Sequence, residues 1–284
     1  MDEAAPDSTR VLLLGTGAGP TPKPGRNPTA AALLHGKSSY IVDCGNGVGL
    51  QLARAGIPFS SLRALLITHH HLDHVADFGT LVSQAWTQLE APVAMIGPPP
   101  LKRMSVLYQE LYAIDLASRV AEEHRRPLAE LMDVREITGS GVCFADGSVR
   151  IRHTPVRHGS IEHAFAYRFD CTDRSVVFSG DTAYSPELAE FARGAHTLVH
   201  EAVFLPALNG AAIGGKHSSR TLDRIVRVHS SVEQAARVAH QANVVRLVLS
   251  PLTPAGGVSD AEWAEVAARH FGGEIVVGRD LLET

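Results

Sequence analysis

With 284 residues, 45% of them hydrophobic and 20% charged, the chain can bury one large core or two modest ones and has the composition of an ordinary soluble globular protein. Its formal charge of −4 argues against a large basic footprint for nucleic acid and leaves room only for a local patch. Its 3 cysteines form no Cys-x-x-Cys pair, the stretch from Met1 to Arg10 is acidic and polar, and no apolar run reaches bilayer length; these argue against a disulfide framework, a thiolate zinc knuckle and a membrane span, and a soluble cytoplasmic protein is expected.

The first apolar run, residues 11–14, predicts a strand and is followed by Gly15-Thr16-Gly17-Ala18-Gly19. That loop looks like a phosphate-binding turn. However, Pro20, Pro22 and Pro24 prevent the helix whose N-terminus would hold the phosphate, so a tight turn beside a crowded site is expected instead. Strands follow at 30–34 and 40–42, the second ending in Asp43, then a helix at 47–55. The strand predicted at 64–67 stops in Thr68-His69-His70-His71-Leu72-Asp73-His74. This block offers neutral nitrogens and an anionic oxygen on a rigid mount, as a borderline-soft divalent cation such as zinc requires. In an extended segment His69 and His71 point the same way and can grip one ion, while Asp73 and His74 fall further along and can turn toward a second. Histidine is also the compositional outlier, with 15 copies.

A helix at 76–89 and a strand at 93–96 lead to Pro98-Pro99-Pro100, after which residues 101–133 look like a helical insertion, helix-like over 101–121 and carrying Arg119, Arg125 and Arg126. Strands are predicted at 142–144, 149–153, 164–169, 176–178 and 197–199, and polar residues again stand at strand ends: His158, Asp181, and the pair His200 and Glu201. Ser185-Pro186 opens a helix over 186–192, and residues 204–228 read as a loop insertion. Ser231 with Gln234, and Ser259 with Glu262, resemble capping boxes for helices at 231–241 and 260–270, between which lies a strand at 247–249; a last strand is expected at 274–277. Mixed sheets covered on their outer faces are expected, in one domain spanning 1–284.

Taken together, Leu14-Gly15-Thr16-Gly17, Val42-Asp43-Cys44-Gly45, the block at 69–74, Pro155-Val156-Arg157-His158-Gly159, Ser179-Gly180-Asp181-Thr182, His200-Glu201-Ala202 and His229-Ser230-Ser231 resemble the metallo-β-lactamase superfamily, in the branch of ribonuclease Z, arylsulfatase-like and cyclic phosphodiesterase-like hydrolases. The resemblance implies an αββα sandwich with metals at one edge between two mixed sheets. It implies that His69, His71, His158 and Asp181 hold a first ion, that Asp73 and His74 hold a second with Asp181 bridging, and that Asp43 orients ligands. A shared water would be acidified to hydroxide near neutral pH and act as nucleophile, which makes Asp73 indispensable to catalysis. His229 and Glu201 match the histidine and acid that protonate the departing oxygen.

One departure stands out. The family expects a further histidine after the strand that here reads Leu247-Val248-Leu249-Ser250-Pro251, and proline has no donor atom. One zinc is therefore expected to bind firmly and a second more weakly, with manganese or ferrous iron as other occupants; a one-metal site, and substitution by His217 from a flexible segment or by His229, stay open. The expected activity is hydrolysis of a phosphodiester, sulfate ester, lactone or thioester in a small-molecule substrate. Nucleic acid, and transfer RNA processing with it, ranks lower because no long basic glycine-rich arm is present. A mononuclear iron oxidoreductase of sulfur dioxygenase type, a non-hydrolytic lyase or binding protein, and assembly as a homodimer all stay open.

Overall fold

The computed structural model describes residues 8–208 and 219–284. The apolar runs are continuous because their strands are buried on both faces. In β1 (Thr9–Gly15), Val11 and Leu13 enter the layer between two sheets, while Leu12 and Leu14 face the opposite way, under helices. The same split by alternate residues recurs in β3 (Ser38–Val42) and β4 (Leu62–Leu66), where Tyr40, Val42, Ala64 and Leu66 point inward and Ile41 and Leu65 outward.

The first sheet is 6-stranded and runs in chain order through β1, β2 (Ala30–His35), β3, β4, β5 (Val93–Gly97) and β6 (Met132–Glu136). The second is 7-stranded and also follows chain order, through β7 (Gly141–Ala145), β8 (Val149–Pro155), β9 (Phe165–Cys171), β10 (Ser175–Phe178), β11 (Thr197–Val203), β12 (Arg246–Thr253) and β13 (Glu274–Val277). Each sheet begins antiparallel and turns parallel, at β3–β4 in the first and β10–β11 in the second. Parallel neighbours need long crossovers, and helices supply them. These are α1 (Val48–Arg54), α2 (Leu72–Val75), α3 (Phe78–Ala85), α4 (Leu101–Leu111) and α5 (Ala113–Glu123) on the first sheet. On the second they are α6 (Pro186–Ala192), α7 (Ser219–Val228), α8 (Val232–Ala242) and α9 (Asp260–Ala268). The expected αββα sandwich is what forms, with Leu52, Leu81 and Trp86 covering one outer face and Leu188, Ala235 and Trp263 the other.

The helix starts behave as the sequence suggests. Ser231 and Gln234 cap α8 reciprocally, Ser259 and Glu262 do so for α9, and Ser185 accepts a hydrogen bond from the Leu188 amide ahead of Pro186. Three local differences have physical causes. The segment expected as helical to residue 133 turns into the edge strand β6, whose alternating Asp133 and Arg135 leave no apolar run to notice. The stretch read as a loop over 204–228 contains α7, whose arginines interrupt its apolar residues. The helix expected at 76–89 begins earlier, as α2, and restarts as α3 after Asp77, which accepts hydrogen bonds from Gly47 N (2.6 Å) and Asn46 Nδ2 (3.1 Å).

Parallel strands end together, so residues following β3, β4 and β10 gather at one edge of the sandwich. There the sheets are tied directly: Tyr167 OH in β9 donates to Ile67 O at 2.8 Å, and Phe165 N donates to Thr68 O at 2.9 Å. Replacing Tyr167 with Phe leaves the buried Ile67 carbonyl short of its partner. We expect a loss of about 1–3 kcal/mol in urea unfolding; an unchanged midpoint and slope would show that the bond contributes nothing.

Candidate metal centre

The histidine block leaves the sheet under tight restraint. Asp43, at φ 62° directly after β3, accepts from Thr68 N at 2.8 Å and receives the Thr68 hydroxyl at 2.9 Å. Its other oxygen accepts from His74 Nδ1 at 2.7 Å. Thr68 Oγ1 also lies 3.0 Å from His69 Nδ1. Because the threonine proton goes to the carboxylate, the oxygen accepts from His69 Nδ1–H, which leaves His69 Nε2 as a bare lone pair. His158 is fixed in the same way: its Nδ1 donates to the Val228 carbonyl at 3.0 Å, so its Nε2 is also a lone pair.

Both lone pairs approach His71 Nδ1, His69 Nε2 at 2.9 Å and His158 Nε2 at 3.0 Å. One ring nitrogen carries at most one proton, so three imidazoles cannot satisfy each other there. A cation can satisfy them all. Asp181 completes the set, and one donor atom from each of His69, His71, His158 and Asp181 lies within 4.8 Å of the others. Burial holds His69 well below its ordinary pKa, lowers His71, and brings His158 down to about 4, so all three present neutral nitrogens.

A second pocket of unmet polarity adjoins the first. His74 Nε2 is buried without a hydrogen-bond partner among the described residues, 3.4 Å from Asp181 Oδ2 and 3.6 Å from Asp73 Oδ2. Asp181 Oδ1 is likewise buried and unpartnered there. Burial opposes protonation of His74, yet Asp181 and Asp43 outweigh it and hold its pKa well above the usual value. The carboxylates therefore demand positive charge at this point, as a proton or as a metal. Asp73 Oδ2 also accepts from Gly19 N at 2.7 Å, which gives the glycine loop a purpose close to the one expected of it. Its tightness is literal: a Cβ on Gly15 would stand 1.8 Å from the Pro28 carbonyl oxygen. Pro251 lines the cavity beside His74 and Asp43, and it adds no donor to this second position.

Beyond Asp181 stands the other pair. His229 Nδ1 meets Glu201 Oε2 at 2.7 Å and lies 3.7 Å from Asp181 Oδ2; Thr182 N holds the second Glu201 oxygen at 2.5 Å. Burial disfavours the imidazolium, but Glu201 and Asp181 raise His229 above its ordinary pKa, so it carries a proton at neutral pH. His200, adjacent in sequence, takes no part: burial drops it to about 4 and its Nδ1 donates to the Glu201 carbonyl at 2.8 Å. His70 turns away to Pro98 O at 2.9 Å, and His153 packs edge-on against Phe165. His217 lies outside the described residues. Sequence reasoning gave no role to Thr68, to the Val228 carbonyl or to the Gly19 amide. Only Thr68 carried a signal, as a hydroxyl between a strand and a histidine block.

A family model described as a beta-lactamase superfamily domain matches residues 39–250. A ribonuclease Z of Mycobacterium sp. strain KMS is 34% identical over 275 residues, covering 95% of this chain and 94% of that one. The chain belongs to the metallo-β-lactamase superfamily. It is a metal-dependent hydrolase of that superfamily, and its His/Asp cluster supports a metal cofactor. Solved structures share its fold. YhfI from Bacillus subtilis superposes at TM-score 0.73 with 20% identity, covering 98% of this chain and 100% of that one. The short form of human tRNase Z superposes at 0.71 with 21% identity, covering 97% and 98%.

Within this metallo-β-lactamase site Asp43 orients two imidazoles at once. Asp43→Asn keeps the shape and removes the charge that fixes the His74 tautomer. We expect about 10–100-fold weaker metal affinity in chelator competition; wild-type affinity would mean that Asp43 does not orient the ligands.

Proposed function

We propose that this hydrolase is a zinc-dependent phosphodiesterase that cleaves RNA. His69, His71, His158 and Asp181 would hold the first ion, and Asp73 and His74, with Asp181, would hold a second. Mixed imidazole and carboxylate donors suit zinc, and the same set admits manganese or ferrous iron. The observation that carries the reading is the proton-bearing His229–Glu201 pair set directly against the Asp181 end of the donor cluster. A thioester or aryl sulfate hydrolase has less need of a separate acid, because a thiolate or aryl oxide leaves readily, whereas a ribose alkoxide must be protonated as it departs.

When bound, the metal supplies hydroxide at neutral pH and draws charge from the phosphoryl group. The chain's own residues do the rest. Asp43 and Thr68 fix which ring nitrogens face inward. Glu201 engages His229 Nδ1, so the transferable proton sits on Nε2, and Glu201 stabilises the charge on the ring until that proton passes to the leaving oxygen.

The sequence alone ranked transfer RNA processing below a small substrate. Relatives named ribonuclease Z, matched along nearly the whole chain, reverse that order and make 3′-extended transfer RNA precursors the first substrates to test. The formal charge of −4 favours a small phosphodiester as the second reading.

Zinc-loaded protein is expected to cleave such a precursor. His229→Ala is expected to slow that cleavage by about 10²–10⁴-fold while sparing bis(p-nitrophenyl) phosphate, whose nitrophenolate leaves without a proton. Equal losses on both would remove His229 from the role of acid, and turnover of only lactones or thioesters would end the phosphodiesterase reading. With Pro251 contributing no donor, elemental analysis after dialysis should find one retained zinc. Two retained equivalents would show that the second position is as strong as the first.

A further inference from the structure

Helix α7 is joined to the site at its C-terminal end. Val228 O accepts from His158 Nδ1 at 3.0 Å, and His229 N continues the helix by donating to Ile225 O at 3.1 Å. The acid and one of the cluster histidines are thus both referenced to this helix. Along it the sequence places arginine at 220, 224 and 227, spaced by helical turns. Arg224 and Arg227 are exposed, and neither forms an ion pair with a carboxylate among the described residues. Arg224 lies four residues before Val228, which at 1.5 Å per residue is about 6 Å along the axis. Arg227 also complements the helix C-terminus, but Arg224 stands a turn too early for that role.

Arg224 and Arg227, without a carboxylate partner among the described residues and leading away from a phosphodiester-cleaving centre, match a ligand whose negative charges repeat along a chain. Guanidinium forks bind phosphate oxygens bidentately, and a helix keeps their distance from the acid fixed. We propose that Arg224 and Arg227 form a phosphate-binding strip that lays single-stranded RNA across α7 and delivers its scissile linkage to His229. This rests on the phosphodiesterase reading and adds to it the element that replaces a long basic arm. The net negative charge of the protein is no obstacle, because the attraction is local and screened beyond about 10 Å.

The test is the salt dependence of binding of a short, fluorescently labelled, single-stranded 2′-O-methyl RNA to metal-loaded protein, read by anisotropy between about 50 and 200 mM salt. Arg224→Ala with Arg227→Ala is expected to flatten the slope of log affinity against log salt by about 0.7 per arginine. It should also weaken binding at the low-salt end by about tenfold. Arg224→Lys with Arg227→Lys retains the slope, and Arg119→Ala, on α5 and paired with Asp115, leaves it unchanged. Thermal melts of all variants should coincide, since both side chains are exposed. An unchanged slope in the double alanine variant overturns the strip, as does wild-type protein with no salt-dependent binding. Wild-type binding that loses its slope in the double variant, without cleavage of any RNA, upholds the strip and overturns the nuclease reading alone.

Discussion

Uncompensated negative charge in the interior governs this molecule. Asp43, Asp73, Asp181 and Glu201 are exposed by only 2%, 6%, 4% and 2%, and all lie within one connected cluster. Burying an ionised carboxylate without a partner costs several kcal/mol or forces it to take a proton. No lysine or arginine forms an ion pair with any of them among the described residues; the only basic partners are imidazoles. Raised pKa values at His74 and His229 are the proton-based answer to that demand. Divalent cations are the other, and they would satisfy in addition the Nε2 lone pairs of His69 and His158, where burial and the neighbouring imidazoles disfavour further protons. Loading the metal therefore expels protons, and its affinity is expected to rise with pH.

The same charges bind the two halves of the sandwich. His69, His71, Asp73 and His74 follow β4 of the first sheet, while His158, Asp181, Glu201 and His229 belong to the second sheet and its connections. Neither half holds a complete donor set. A metal bound across this seam stabilises the packed sandwich over the unfolded chain by mass action, on top of the apolar layer built from Leu33, Tyr40, Phe165 and Phe169. Function and stability share the seam, with the Tyr167 hydroxyl and the Phe165 amide fixing it from one side.

Much of this was legible in the sequence. Strands buried on both faces announce themselves as unbroken apolar runs, and polar residues at their ends gather because parallel strands finish at one edge. What stayed hidden has common causes. Strand β6 lies at an edge and alternates charged residues with apolar ones, and α7 breaks its apolar residues with arginines, so periodicity gave little to read. The choice of Nδ1 or Nε2 on each histidine was invisible, because it depends on partners such as the Val228 carbonyl and the Gly19 amide, and backbone groups look alike in every residue. The departure at Pro251 was visible for the opposite reason: a side chain lacking any donor atom is plain from the letter alone.

That proline changes how the second metal position must be understood. Asp73 is drawn toward His74 on one side and toward the Gly19 amide on the other, with the half-buried Lys23 ammonium, anchored on Gly19 O at 3.1 Å and Thr21 O at 2.9 Å, adding its field. A histidine in place of Pro251 would favour a metal here by adding a neutral donor without further negative charge. Without it, an ion at the second position would depend on Asp73, His74 and an Asp181 shared with the first donor set. The glycine loop thus acts as more than a spacer. By donating a backbone amide to Asp73 Oδ2 it fixes the carboxylate beside His74, and the carboxylate keeps further lone pairs for a cation.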